Sequence, residues 1–228
     1  MRATSSSVRR ARPLLGTLVE IRATGANAAR AIERAFAAIE RVHHAMSAQE
    51  SSSDIARLRA GRHAALDPWT RRVLERADEI RVGTEGLFDC AACDHALDGI
   101  AKGFAVDRAV ETLELAGILA GVVNAGGDLR VFGKAYEDLY VRPPDRPHTL
   151  LYLGRIRDCA VATSASTLLI DPRRVDARTA PPAASVIAPD CMTADALTKP
   201  CLLEPSCAQE LAARFGARAI FPGGLACR

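Results

Sequence analysis

Between Ala28 and Met46 the apolar residues fall at helical spacing. Ala28, Ile32, Ala35, Phe36, Ile39, Val42 and Met46 mark one stripe, and that period predicts an amphipathic helix with a single buried face. Just upstream, "LLGTLVEIRATG" alternates, with Leu15, Thr17, Val19 and Ile21 on one side, as a half-buried strand does. Downstream, Ser53 is placed to cap a short helix, "DIARLRA". Asp67-Pro68 offers an N-cap and a first-turn proline to "WTRRVLERADEI", where Trp69, Val73, Ala77 and Ile80 face inward.

The texture changes after Gly86. "GLFDCAACDHALDGIAKG" reads as a loop feeding a helix from about Gly103 to Leu115, which Gly117 closes. "GVVNAGGDLRVFG" has two apolar runs flanking Asn124 to Asp128 and predicts a hairpin. Strands are expected at "DLYVR", "LLYLGRI", "CAVATS", "SVIAP" and "ARAIFP", and an exposed loop from Asp171 to Pro182. "TADALTKPCLL" begins a helix with Thr193 as its N-cap, which Pro200 should kink or end, and "CAQELAARFG" is another helix. Helices gather early and hairpin-like strands late. That order predicts an α+β fold, a single compact domain over residues 13–228 with helices packed on a mostly antiparallel sheet. Residues 1–12 carry Arg2, Arg9, Arg10 and Arg12 and read as a solvated basic arm.

The composition is that of an ordinary globular protein, with 49% hydrophobic and 25% charged residues. A net charge of +3 over 228 residues is too small to argue for nucleic acid. No apolar run approaches the ~18 residues a membrane span needs, and no apolar stretch follows the N-terminal arginines, so a cytoplasmic location is expected. Seven cysteines are present, but only Cys90 and Cys93 form a Cys-x-x-Cys pair. No second pair completes a zinc site. Asp89 and Asp94 flank the two thiols and should raise their pKa values, against a thioredoxin-like role.

Three short segments carry candidate chemistry. In "GIAKG", Lys102 sits between glycines where a helix begins, so backbone N–H groups and an ammonium can face one anion, a phosphate or a carboxylate. It is not a Walker loop, and on the residues alone a solvated lysine at a helix start is the stronger reading. In "NAGGD", two glycines let the main chain approach another group, and Asp128 can accept a hydrogen bond, although an ordinary tight turn would look the same. In "TADAL", Asp195 and Thr198 lie three apart on one helix face. A carboxylate and a hydroxyl suit Mg²⁺, and simple helix capping is the competing account.

Taken in order, "RRARPLLGTLVEI", "MSAQESSSDIARL", "TEGLFD", "GIAKGFAVDRA", "VVNAGGDLRVFG", "VATS", "IDPR" and "TADAL" resemble the ApbE family, the FAD:protein FMN transferases, from about Arg9 to Leu203. The resemblance implies binding of FAD and Mg²⁺ and transfer of the FMN half to a threonine hydroxyl of an acceptor protein, with release of AMP. It implies that Lys102 and Asp195 take part in catalysis. Leu15, Leu87, Phe88, Asp89, Asp98, Lys102 and Asp128 would hold the flavin nucleotide. Gly99, through its carbonyl, would ligate the metal together with Asp195 and Thr198. A homodimer is left open as a partner arrangement.

The sequence departs from the family pattern at four places. The usual aspartate before "GIAKG" is Ala96, with Asp98 two residues later. The metal-ligating threonine position, four after Asp195, is Lys199, which would put an ammonium in the cation's space. A usual tyrosine is Gln49, which removes a stacking surface. The histidine before "IDP" is Leu168, so a general base for the acceptor hydroxyl is missing. These departures support an alternative in which the chain keeps FAD as a carrier or regulatory module without transferring it.

Overall fold

A computed structural model describes residues 7–62, 66–142, 146, 148–165, 168–174, 176–179 and 183–222, with backbone alone at 168 and 176–179. Its strands are β1 (Ser7–Leu14), β2 (Thr17–Thr24), β3 (Ala120–Ala125), β4 (Asp128–Gly133), β5 (Glu137–Val141), β6 (Leu151–Ile156), β7 (Cys159–Ser164), β8 (Leu168–Asp171), β9 (Asp176–Thr179), β10 (Ala184–Ala188) and β11 (Arg218–Ile220). Its helices are α1 (Ala28–Met46), α2 (Asp54–Arg59), α3 (Pro68–Gly83), α4 (Ala101–Leu115), α5 (Cys191–Leu203) and α6 (Ala208–Ala213).

Seven strands form one antiparallel sheet in the order β1-β2-β3-β4-β7-β10-β11. Because side chains alternate across a strand, the sheet serves two cores. Val123, Ala125 and Phe132 join α1, α4 and α5 in the larger one. Val122, Leu129 and Val131 point the other way, into a smaller cluster with Leu139 of β5 and Ile156 of β6. The α+β expectation, helices on a mostly antiparallel sheet, describes this arrangement.

Local signals explain most elements. All seven residues of the α1 stripe are buried. Ser53 caps α2 by accepting from the Ala56 N–H at 3.1 Å, and Asp67 caps α3 by accepting from Trp69 at 2.8 Å. Val73, Ala77 and Ile80 face inward, with Trp69 packed at the margin. Gly126 and Gly127, both at positive φ, close the β3–β4 hairpin between Ala125 and Asp128.

Four local expectations need correction. The basic arm is, from Ser7 onward, the outer strand β1: it pairs with β2 along its length, Arg9 is bonded to Glu20, and Arg12 lies over the Phe36 ring and pairs with Glu33 of α1. The loop expected over 171–182 contains β9, which pairs with β8 through Asp171 and Asp176, while 180–182 lie outside the described residues. The N-cap of α5 is Asp190 instead of Thr193: Asp190 accepts from the Thr193 N–H at 2.8 Å and from its hydroxyl at 3.0 Å. Asp195 therefore sits in the second turn. Finally, Pro200 does not end α5, which runs on to Leu203. An interior proline costs about 3 kcal/mol, and burial of Leu197, Cys201, Leu202 and Leu203 around it offsets that.

Candidate functional site

The N-terminus of α4, the turn before β4 and the second turn of α5 meet at one place. Lys102, the second residue of α4, puts its ammonium 3.1 Å from a carboxylate oxygen of Asp128, the first residue of β4. Gly103 donates its backbone N–H to Asp195 at 3.0 Å. Only glycine fits there: a Cβ on Gly103 would stand 2.2 Å from the Cys191 carbonyl oxygen and 2.9 Å from the Asp195 Cβ. Gly103 thus lets the two helices approach, and the Lys102 ammonium and the Asp195 carboxylate converge.

The electrostatics follow from that crowding. Burial and the neighbouring Asp195 push the Asp128 carboxyl up to about 7, with Lys102 opposing. Burial also raises Asp195, while Lys102, the Gly103 N–H and Lys199 hold it down. Burial works against the Lys102 charge, but Asp128 and Asp195 outweigh it and keep this ammonium above its usual pKa. Two buried carboxylates share the one close ammonium of Lys102, which is why burial raises Asp128 despite that partner.

Two hollows of about 300 Å³ each flank the cluster. Lys102 opens into one, with Leu15, Met46 and Gln49. Leu15 is held at φ 55°, in the left-handed region, by the β1–β2 turn, a strain that a non-glycine residue tolerates only where its surroundings impose it. The other hollow is walled by Leu87, Phe88, Asp89, Cys90 and Lys199. Asp98 is exposed and lines both, and Gly99 is buried beside it. Every residue expected to hold a nucleotide except Asp128 lines one of the two hollows, and Asp128 touches them through Lys102. A larger hollow, about 490 Å³, lies elsewhere, between Arg72, Arg76, Arg108 and Arg130 and their acidic neighbours. Its charges are largely matched among themselves, as in the 2.7 Å pair of Arg130 with Asp107.

The oxygens expected to hold Mg²⁺ do not form a fitting set. Thr198 is buried, but its hydroxyl donates to the Asp195 backbone carbonyl at 2.8 Å. One Asp195 oxygen is taken by the Gly103 N–H. At Gly99 the neighbour is a cation already: a Cβ there would lie 2.7 Å from the Lys199 ammonium nitrogen. A dication brought to this segment would meet a like charge in the Lys199 ammonium. Among the described residues no three His, Cys, Asp or Glu side chains cluster as a metal site either.

Asp107 is a site-supporting residue that the sequence reading passed over. It accepts from the first two N–H groups of α5, Cys191 at 2.9 Å and Met192 at 2.8 Å, while also bonding Arg130. This satisfies orphan donors at the helix start and fixes α5, hence Asp195, against α4. The signal was an acidic residue within the buried run Phe104 to Val110. At Cys90, burial first and Cys93 second raise the thiol to about 12, so the direction expected from Asp89 and Asp94 holds but its main cause is burial. Leu168 is the first residue of β8.

The overall fold is that of flavin transferases. It superposes on the flavin transferase ApbE of Vibrio cholerae with a TM-score of 0.80 and 18% identity, covering 94% of this chain and 93% of that one. The apo flavinyl transferase ApbE of Pseudomonas stutzeri matches at 0.80, 15%, 96% and 92% in the same order, and the ApbE protein of Thermotoga maritima at 0.76, 20%, 96% and 96%. At the sequence level the curated proteins give no match. The ApbE family model matches residues 15–96 and 92–221, and the chain belongs to the ApbE family.

Proposed function

We propose that this chain transfers the FMN half of FAD onto a threonine hydroxyl of an acceptor protein and releases AMP. The observation that carries the reading is the Lys102 ammonium at a helix start, facing two buried carboxylates between two ring-sized hollows. FAD has that shape: two ring systems joined by a diphosphate. In the reaction the threonine oxygen bonds to the FMN phosphorus, the bridging P–O bond breaks, AMP leaves with the bridging oxygen, and the hydroxyl proton passes to water. Lys102 neutralises diphosphate oxygens as charge builds on the leaving phosphate. Asp195 holds the Gly103 backbone and so places Lys102. Leu15, Leu87, Phe88, Asp89 and Asp98 shape the hollows for the rings. No step is routed through Mg²⁺, because the donor set does not fit it.

Leucine at position 168 favours a second reading, an FAD carrier or regulator that binds without transferring, since no imidazole stands there to take the hydroxyl proton. The two separate in one assay. The purified chain, FAD and a threonine-bearing acceptor peptide are incubated with Mg²⁺ or with EDTA, and AMP and a fluorescent peptide conjugate are measured. Both products are expected. FAD bound tightly with no AMP would overturn transfer in favour of the carrier. Among the described residues no helix is long and apolar enough to cross a membrane, and the proposed setting is cytoplasmic, with the acceptor protein as partner and self-association into a dimer tested by its mass in solution.

A further inference from the structure

We infer, resting on the flavin-nucleotide reading above, that the Lys199 ammonium stands in place of a divalent cation, so that the diphosphate is gripped between Lys102 and Lys199 without a metal ion. Lys199 follows Asp195 by four residues on α5, one turn along the same face. Its distal chain lies along Gly99: a Cβ at that glycine would meet the Lys199 nitrogen at 2.7 Å, Cε at 3.4 Å and Cδ at 3.5 Å. The missing side chain at 99 is what admits the lysine.

The placement of the two ammonium groups matches the shape of a dinucleotide. Lys102 lines the hollow of Leu15 and Gln49, and Lys199 lines the hollow of Leu87 and Phe88. Asp98 walls both, so the short segment Asp98–Gly99 is the ridge between them. A ligand with a ring in each hollow must carry its linker across that ridge, past both cations. Lys199 also eases the charge of Asp195, the residue a metal would otherwise neutralise. Asp98 and the buried Asp128 and Asp195 thus stand near two ammonium groups, Lys102 and Lys199.

The test measures FAD binding to the full chain by flavin fluorescence, and inorganic pyrophosphate binding by calorimetry, each in EDTA and in Mg²⁺. Wild type should bind FAD in EDTA within about twofold of its affinity in Mg²⁺. Lys199→Met, similar in length but uncharged, should weaken binding in EDTA by about tenfold or more, and Lys199→Arg should keep it. Lys199→Thr should bind FAD more tightly in Mg²⁺ than in EDTA. Thermal melts of each variant confirm that the fold is intact. FAD binding by wild type that depends on Mg²⁺, or EDTA affinity unchanged in Lys199→Met, overturns the ammonium grip and leaves the flavin reading standing. Pyrophosphate bound through Lys199 with FAD ignored does the reverse, and binding of neither ligand overturns both.

Discussion

The Lys102 ammonium lies 3.1 Å from the carboxylate of Asp128, which is 1% exposed. Each side chain therefore justifies the burial of the other, and removing one leaves a charge in a poor environment. Lys102→Met should reduce FAD affinity by about ten- to a hundredfold, because an ammonium–phosphate contact is charge-assisted. Combined with Asp128→Asn in a double-mutant cycle read by urea unfolding, the pair should show a coupling of about 1–3 kcal/mol. Unaltered FAD affinity in Lys102→Met would return Lys102 to an ordinary lysine at a helix start.

The same carboxyl sets a pH dependence. In the folded chain Asp128 titrates at about 7, whereas an unfolded aspartate does so near ~3.9. Between those values the folded protein holds a proton that the unfolded chain releases, so stability from this group falls as pH rises through the window and levels off above it. Asp195, raised in the same direction, adds to the slope. Urea midpoints for wild type should decline from about pH 5 to about pH 7, and Asp128→Asn, which cannot ionise, should flatten much of that decline. Parallel profiles for the two proteins would remove Asp128 from this role.

Gly103 is the hinge of the arrangement. A methyl group there would enter the Cys191 carbonyl and press on Asp195, and neither backbone nor a buried helix yields easily. Gly103→Ala should destabilise the fold by about 1–3 kcal/mol, the usual range for overpacking, and should weaken FAD binding as well by parting Lys102 from Asp195. Thermal melts and fluorescence titration check the two effects separately. A variant as stable as wild type would mean α4 and α5 can separate freely.

What the sequence made legible was whatever a local rule decides. The α1 stripe, the Ser53 and Asp67 caps and the Asn124–Asp128 hairpin each depend on residues within a few positions of one another. β1 was hidden because an arginine-rich edge strand looks like a solvated tail, and only pairing with β2 and Glu20 reveals it. The start of α5 was placed at Thr193 because threonine caps helices well, whereas Asp190, three residues earlier, accepts from the Thr193 N–H and takes that role. The consequence of lysine at 199 depends on a glycine a hundred positions earlier in the chain, a contact that only the folded packing of α5 against the Gly99 segment creates.

Asp107 tests whether the site depends on helix docking. It satisfies two N–H groups of α5 and the Arg130 guanidinium together. Asp107→Ala strands all three and should cost about 3 kcal/mol. Asp107→Asn retains one acceptor oxygen and should lose less. Because α5 carries Asp195 and Lys199, FAD binding should decline in the same order. Equal stability for Asp107→Ala and wild type in urea would show that α5 docks without this carboxylate.

The Cys90–Cys93 pair separates a thiol-redox role from a structural one. A redox thiol needs a thiolate near neutral pH, which calls for exposure and positive surroundings. Cys90 has the opposite: burial and the neighbouring Cys93 push it up to about 12, and nearby Lys199 only partly opposes them. Cys201 is raised to about 12 by burial, and burial also raises fully buried Cys191. Cys207 is exposed. With Ellman's reagent and peptide mapping, Cys207 should react first among the described cysteines, Cys93 more slowly, and Cys90 only on unfolding. FAD should slow Cys93 further, since it lines the hollow of Phe88 and Lys199. Cys90 modified as fast as Cys207 in the folded protein would contradict both its burial and its raised pKa, and would restore a redox reading for the pair.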